Sequence, residues 1–266
     1  MNPDGSGAGR GLITLVTDFG TRDGYVGAMK GVILGEFPRA QLIDITHHVA
    51  AQDVIAGAFA IAQASPHYPP GTVHVGVVDP GVGSDRRAIV VEHRGMLFVG
   101  PDNGLFSLAT IPVAGESPTV AWTIDRLPPH WTVHPTFHGR DVFARVAARL
   151  AAGASPGEFS SGTAPPLRLD LPHPERANGD LLGEVIHVDR FGNLITNLPG
   201  EALAAGHPVE IAGSQAVAGT TYADVGKGRL LAYVGSAGYV EVAVRDGSAA
   251  QLLGAGRGTR LRLRHA

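Results

Sequence analysis

Val73-His74-Val75-Gly76-Val77-Val78 runs into Asp79-Pro80-Gly81-Val82-Gly83, and Arg86 and Arg87 follow a few residues later. A valine-rich run of this kind fills a strand covered on both faces, and a Pro-Gly pair cannot continue it. Asp79 therefore stands at the carboxyl end of a buried strand, the end at which open α/β sheets bind their ligands. The Gly-Val-Gly-Ser turn lets one of the two arginines fold back on Asp79 and keep it ionised. A capped strand with a surface ion pair accounts for the same residues equally well.

Outward from that strand, the first half alternates strand-like and helix-like stretches, the pattern of a parallel sheet with covering helices. Leu12 to Val16 reads as a strand ending in Thr17-Asp18-Phe19-Gly20. Tyr25 to Phe37 carries Val26, Met29, Ile33 and Phe37 at helical spacing before Pro38. Leu42 to Ile45 is a second strand, and Asp53 to Ala64 an Asp-capped, alanine-rich helix. Ala88 to Glu92 and Met96 to Val99 suit a hairpin around Arg94-Gly95. Asp141 to Ala152 reads as a helix capped by Asp141, with Val142, Phe143, Val146 and Leu150 on one face and Gly153 as its stop.

Between Gly153 and Pro174 the chain becomes rich in Gly, Ser and Pro, and a domain boundary is expected near Pro172. The expected organisation is a disordered segment over 1–11, an N-terminal Rossmann-like α/β domain over 12–172, and a smaller C-terminal β-barrel-like domain over 173–266. For the last, short strands between glycine turns are the signal: Glu184 to Val188, Leu194 to Thr196, Val209 to Ile211, Leu230 to Val234, Tyr239 to Val244 and Arg260 to Arg264. The Arg-Leu-Arg-Leu-Arg ending reads as a solvated strand face rather than a nucleic-acid strip.

With 266 residues, 44% of them hydrophobic, the chain can bury an ordinary core. A formal net charge of -3 provides no broad attraction to nucleic acid or anionic membrane, so the expected partner is a small molecule recognised locally. The absence of cysteine excludes disulfides, thiolate catalysis and Cys-ligated zinc. No apolar run approaches membrane-spanning length and the first residues carry no apolar leader core, so a cytoplasmic protein is expected.

Several further side chains are candidates for chemistry. Asp18, at the end of the first strand, can accept two hydrogen bonds from a ribose diol or cap the following turn. Asp23 can pair with a ligand ammonium or cap the helix near Tyr25. His134 and His138 stand four apart, but Pro135 disfavours helix between them, so a zinc pair is not expected. His138 precedes a helix, where an imidazole is held neutral and can accept a proton or orient water. His47 and His48 follow a strand and suit either a cleft wall or a satisfied loop. Asp189-Arg190-Phe191-Gly192-Asn193 is either a tight turn or a grip on an amino acid beside an aromatic stacking surface. Ser236-Ala237-Gly238-Tyr239 suits a hairpin turn or contacts with a purine edge. There is no phosphate loop and no Gly-x-Ser-x-Gly elbow.

Taken in order, Thr17-Asp18-Phe19-Gly20-Thr21-Arg22-Asp23, Asp44-Ile45-Thr46-His47, Val78-Asp79-Pro80-Gly81-Val82-Gly83, Gly100-Pro101-Asp102-Asn103-Gly104, Thr136-Phe137-His138-Gly139-Arg140-Asp141 and Asp189-Arg190-Phe191-Gly192-Asn193 resemble the S-adenosyl-L-methionine hydroxide adenosyltransferases. These adenosine-forming S-adenosylmethionine hydrolases are relatives of the fluorinase and chlorinase. The resemblance implies an N-terminal α/β domain, a C-terminal barrel-like domain, and a homotrimer with sites between subunits. It implies a catalytic set of Asp79, Arg86 and His138, with Asp18 on the ribose hydroxyls, Asp23 and Asp189 on the methionine ammonium, Phe191 and Asn193 around the purine, and Ser236 on the methionine carboxylate. The halogenating relatives carry Tyr where Asp79 stands and a different residue at His138, so hydrolysis to adenosine and L-methionine is the expected reaction; they also carry Trp at Gln52, which sets that wall of the ribose pocket apart. It implies no metal and no cofactor, the substrate supplying its own positive charge. Halide-dependent adenosyl transfer and a non-catalytic adenosyl-ligand-binding protein remain the alternatives.

Overall fold

The computed structural model describes residues 11–112, 118–203 and 208–264. It divides the chain into two compact units, Met1–Leu169 and Asp170–Ala266. The disordered segment expected over 1–11 lies, Gly11 apart, outside the described residues.

In the first unit β1 (Leu12–Thr17), α1 (Tyr25–Glu36), β2 (Gln41–Thr46), α2 (Val54–Ala64), β3 (Val73–Val77), β4 (Ala88–His93), β5 (Met96–Pro101), β6 (Ala121–Thr123), α3 (Ala144–Ala151) and β7 (Thr163–Ala164) follow in that order. They build one sheet, β2-β1-β3-β5-β4-β6-β7. Its first four strands are parallel and the rest antiparallel. Every residue of β3 is buried, because helices cover both faces. Met29 and Ile33 of α1 and Val146 and Leu150 of α3 pack with Val73, Val75 and Val77; Ile61 of α2 packs with Val16, Val78 and Leu105 on the other side. Each such valine stabilises the fold by about 1.5–3 kcal/mol.

This topology decides where the acids go. β1 and β3 are parallel neighbours with Thr17 opposite Val77, so Asp18 and Asp79 leave the same carboxyl edge side by side. Asn103 holds that edge, its side-chain Nδ2 donating to the Val78 carbonyl at 2.8 Å.

Most local readings hold. Asp53 caps α2 by accepting from Ala56 N at 3.0 Å, and Arg94 and Gly95 turn the hairpin with positive φ of 50° and 73°. The region after His138 differs from the expectation. The chain opens as a π-helical turn, Gly139–Phe143, before α3, and Asp141 sits inside that turn. Its carboxylate does not cap a helix; it accepts from Arg140 Nε at 2.7 Å and from His134 N at 2.9 Å. Gly24, not Asp23, is the N-cap of α1.

The second unit contains β8 (Glu175–Ala177), β9 (Asp180–Val188), β10 (Leu194–Pro199), β11 (Val209–Ile211), β12 (Ser214–Ala218), β13 (Leu230–Val234), β14 (Tyr239–Val244), α4 (Ala249–Leu253) and β15 (Arg260–Leu263). The order β9-β10-β14-β13-β12-β11-β15 closes on itself because β10 and β15 both pair with β9. The result is a seven-stranded barrel with β8 added along β9. Val185, Leu194, Val209, Val242 and Leu261 fill its interior. In β15 the leucines are buried and the arginines exposed, the solvated face that the alternation implies.

Candidate active site

The turn after β3 brings a guanidinium back onto the strand's terminal carboxylate. Val82 N bonds to the Asp79 carbonyl at 3.2 Å and Ser84 N to that of Gly81 at 3.1 Å. Gly83 supplies the positive φ of 81° that the reversal needs. Arg86 Nε then lies 2.9 and 3.1 Å from the two Asp79 carboxylate oxygens, with Nη2 at 2.5 Å from Oδ2. The Asp79 side chain is 4% exposed and that of Arg86 10%, so this is a desolvated pair whose geometry is the bidentate fork that offsets burial.

Arg87 takes another partner. Its Nε donates to Asp102 Oδ2 at 2.8 Å and its Nη2 to the Pro165 carbonyl at 2.7 Å.

The same Nη2 of Arg86 lies 2.9 Å from His138 Nδ1. Guanidinium nitrogens only donate, so Nδ1 accepts and a neutral His138 carries its proton on Nε2. Burial lowers the pKa of this imidazole, the Arg86 charge lowers it further, and Asp79 and Asp141 oppose without reversing the shift. His138 is therefore a neutral hydrogen-bond donor at pH 7.

A cavity of about 390 Å³ opens beside this set, lined by Asp18, Gln52, Asp79, Phe137 and His138, with Phe19 and Tyr25 also in its wall. Asp18 Oδ2 accepts from Gln52 N at 2.8 Å, and Gln52 adopts a positive φ of 65° to reach it. Phe19, Tyr25 and Phe137 meet edge-on or tilted, with centroids 5.5–6.0 Å apart. The sequence motifs contain two of these aromatics, but nothing in the spacing assigns them a wall. Their position next to each chemical side chain is the only available signal. Asp23 is exposed and does not line the cavity.

Asp189, Phe191, Asn193 and Ser236 belong to the second unit. Asp189 Oδ1 accepts from Phe191 N and Asn193 N, both at 2.9 Å, and Oδ2 from Asn193 Nδ2 at 2.8 Å. This ties the turn between β9 and β10 while leaving Phe191 75% exposed. Asn193 Nδ2 also donates to Tyr222 Oη at 3.0 Å; Tyr222 and Tyr233 hydroxyls lie 2.9 Å apart, and Tyr233 donates to Glu241 at 2.6 Å. Burial raises the pKa of Glu241, Asp189 adds to the rise, and the Tyr233 bond opposes it. Sequence patterning gives no sign of this chain, because its members come from four separate segments. Ser236 is exposed in the turn between β13 and β14, where Gly238 N bonds to the Gly235 carbonyl at 2.9 Å.

Among the described residues no group of three or more His, Asp or Glu side chains is placed to hold a metal ion. His134 Nδ1 turns to Thr136 instead, 3.0 Å from its hydroxyl. No helix among them is long and apolar enough to cross a membrane.

Comparisons with known proteins agree with this architecture. Family models for the N-terminal and C-terminal domains of the SAM hydroxide adenosyltransferases match residues 13–160 and 183–262. The chain is 42% identical to an (R)-S-adenosyl-L-methionine hydrolase of Salinispora arenicola, across 94% of this chain and 97% of that one. A fluorinase of Nocardia brasiliensis is more distant, at 27% identity over 88% and 90%. A crystal structure of an uncharacterized conserved protein from Thermotoga maritima superposes with a TM-score of 0.84 at 33% identity, covering 96% of this chain and all of that one. Both matched domains, in this order and over nearly the whole length, make the chain a member of the SAM hydroxide adenosyltransferase family.

Proposed function

We propose that this chain hydrolyses S-adenosyl-L-methionine to adenosine and L-methionine, with Asp79, Arg86 and His138 delivering the water. The sulfonium is already an excellent leaving group, so alignment of a nucleophile with the ribose 5′ carbon, opposite sulfur, is the main requirement. One water hydrogen points at Asp79, and His138 Nε2–H donates to one oxygen lone pair, leaving the other lone pair for carbon. The C–O bond forms as the C–S bond breaks, and the electron pair of the latter becomes a thioether lone pair on methionine. The attacking water becomes an oxonium, far more acidic than a carboxylic acid, so its proton passes to Asp79 and on to solvent.

In this reading Asp18 holds the ribose hydroxyls, Asp23 and Asp189 the ammonium, Phe191 and Asn193 the purine, and Ser236 the carboxylate. Residues of the second unit come from an adjacent copy in a homotrimer, and the enzyme works in the cytoplasm without a metal or cofactor. The Salinispora relative is named for the (R) sulfonium epimer, and we assign the same preference here. The observation that carries the reading is the single Arg86 guanidinium bridging Asp79 and His138 at the wall of the Asp18 cavity.

The test is turnover of an epimeric mixture of S-adenosyl-L-methionine in heavy-oxygen water. Label at the adenosine 5′ oxygen, with the (R) epimer consumed first, is expected. Unlabelled adenosine, or a 5′-halo-nucleoside formed when halide is added, would rule the mechanism out. Sedimentation as a species of other than three chains would rule out the trimer.

A further inference from the structure

His47 lies outside the cavity and outside the reaction as described, yet it is 4% exposed, hydrogen-bonded at one ring nitrogen and facing a carboxylate with the other. It follows β2, whose parallel register with β1 sets Thr46 opposite Val16 and so places His47 beside the end of β1. Its Nδ1 lies 2.9 Å from Thr17 Oγ1. That hydroxyl also accepts from Phe19 N at 3.2 Å; Nε2 faces a carboxylate, which can only accept, so the imidazole proton is placed on Nε2 and Thr17 Oγ1 donates to Nδ1. Nε2 faces Asp44 Oδ1 at 3.0 Å without forming a well-made hydrogen bond. Asp44 is fixed in turn by Lys30 of α1 at 2.6 Å. The His47 carbonyl accepts from Gly20 N at 2.7 Å.

One residue therefore clamps the turn Thr17–Gly20 at both ends, and Asp18 is the side chain that the turn presents. Within the described residues Asp18 makes one side-chain bond, from Gln52 N to Oδ2, so Oδ1 owes its direction to the backbone of this turn. We infer that His47 is a positioning residue for nucleoside recognition, acting through Thr17 on the Asp18 carboxylate. The inference rests on the assignment of Asp18 to the ribose hydroxyls.

Its test separates a directed effect on Asp18 from a general loosening of the sheet edge. Adenosine and 2′,3′-dideoxyadenosine are titrated into wild-type protein, His47→Ala and Thr17→Val, the last removing the hydroxyl at nearly constant shape. Both variants should bind adenosine about tenfold more weakly, the order of one hydrogen bond to a charged group, while affinity for the dideoxy nucleoside stays within about twofold. In turnover the loss should fall on KM, with kcat nearly unchanged. His47→Asn, whose amide oxygen stands close to the Nδ1 position, should restore most of the affinity. In an Asp18→Asn background His47→Ala should add nothing.

Equal losses for both nucleosides, or none, would overturn the inference, and Thr17→Val keeps it testable if His47→Ala fails to fold. Wild-type protein that binds the two nucleosides alike would overturn the ribose assignment itself, and this inference with it.

Discussion

Replacing Arg86 separates the three things its guanidinium does: it neutralises Asp79, it occupies both carboxylate oxygens, and it holds Nδ1 of His138. Arg86→Gln removes the charge. With Asp79 only 4% exposed, the carboxylate is left buried without a counter-ion, which costs about 3 kcal/mol. In a unit of this size that lowers its melting temperature by roughly 6–12 °C. Arg86→Lys keeps the charge but not the fork, because one ammonium cannot reach two carboxylate oxygens and an imidazole in fixed directions. Its melting temperature should therefore stay close to wild type, while kcat falls about 100-fold through misplacement of the water.

The pH dependence adds a second readout. His138 is depressed below its ordinary value by burial and then by Arg86, against the opposing charges of Asp79 and Asp141. Wild-type kcat/KM should fall on the acid side, as the imidazole charges, with its midpoint below the ordinary histidine value. In Arg86→Gln the depressing cation is gone and the two raising carboxylates remain, so the acid limb moves to higher pH. The assays are adenosine release by chromatography across pH and melting by calorimetry. Arg86→Lys with wild-type kcat, or an unmoved acid limb in Arg86→Gln, would refute the bridging role.

Asp79→Asn should lower kcat by about 100- to 1,000-fold with KM little changed, since the carboxylate acts as charge develops on the water; a KM effect alone would contradict that role. Arg87→Ala should reverse the pattern, with kcat near wild type but about 3 kcal/mol lost in denaturant unfolding, because Asp102 is 2% exposed and loses its ion pair. His74, buried between Thr14 and Phe98, has its pKa pushed down to about 4 from 6.5. The unfolded chain takes up this proton first, so stability is full above pH 6.5 and declines by about 3 kcal/mol as pH falls to 4. Urea melts of His74→Gln at pH 7.5 and 4.5 should lose that part of the slope. Gly100→Ala should abolish soluble expression or cost more than about 3 kcal/mol, because a Cβ there collides with the Gly76 carbonyl on β3; a wild-type melt would show that the strands can separate.

The parallel sheet was legible because β3 is valine-rich, with residues suited to burial on both faces, and runs into Asp-Pro-Gly, a signal that local chemistry alone produces. The start of α3 was not. An aspartate before Val142, Phe143 and Val146 is the pattern of an N-cap, but Asp141 is drawn to Arg140 and His134 N, and a five-residue π turn is too short to disturb a 3.6-residue period. β12, a run of Ser-Gln-Ala-Val-Ala, becomes a strand because the barrel must close, and β8, Glu-Arg-Ala, because β9 offers it a pairing edge, neither of which local propensity encodes. Only the family spacing tells Arg86 from Arg87 in the sequence; their residue chemistry does not. Adjacent residues in extended chain point to opposite sides, and one side holds Asp79, the other Asp102. His47 was readable as a histidine after a strand and as the end of a family motif, neither of which gives it a role; the role proposed for it comes from β2 lying beside β1.

In the proposed mechanism, the arrangement of charge would also explain why a carboxylate that attracts the substrate need not impede its reaction. In the ground state the positive charge sits on sulfur, and it moves to the incoming water as the C–O bond forms. An unpaired Asp79 would draw the sulfonium toward itself and stabilise the reactant as much as the transition state, which gains nothing in rate. With Arg86 forked onto it and His138 neutral, the set has no net charge at the distance of the sulfur. At the distance of a hydrogen bond the same carboxylate still offers a directed lone pair. On that proposal its field is felt mainly by the water, and only once that water has become positive, so the ion pair would confine the effect of Asp79 to the step that needs it.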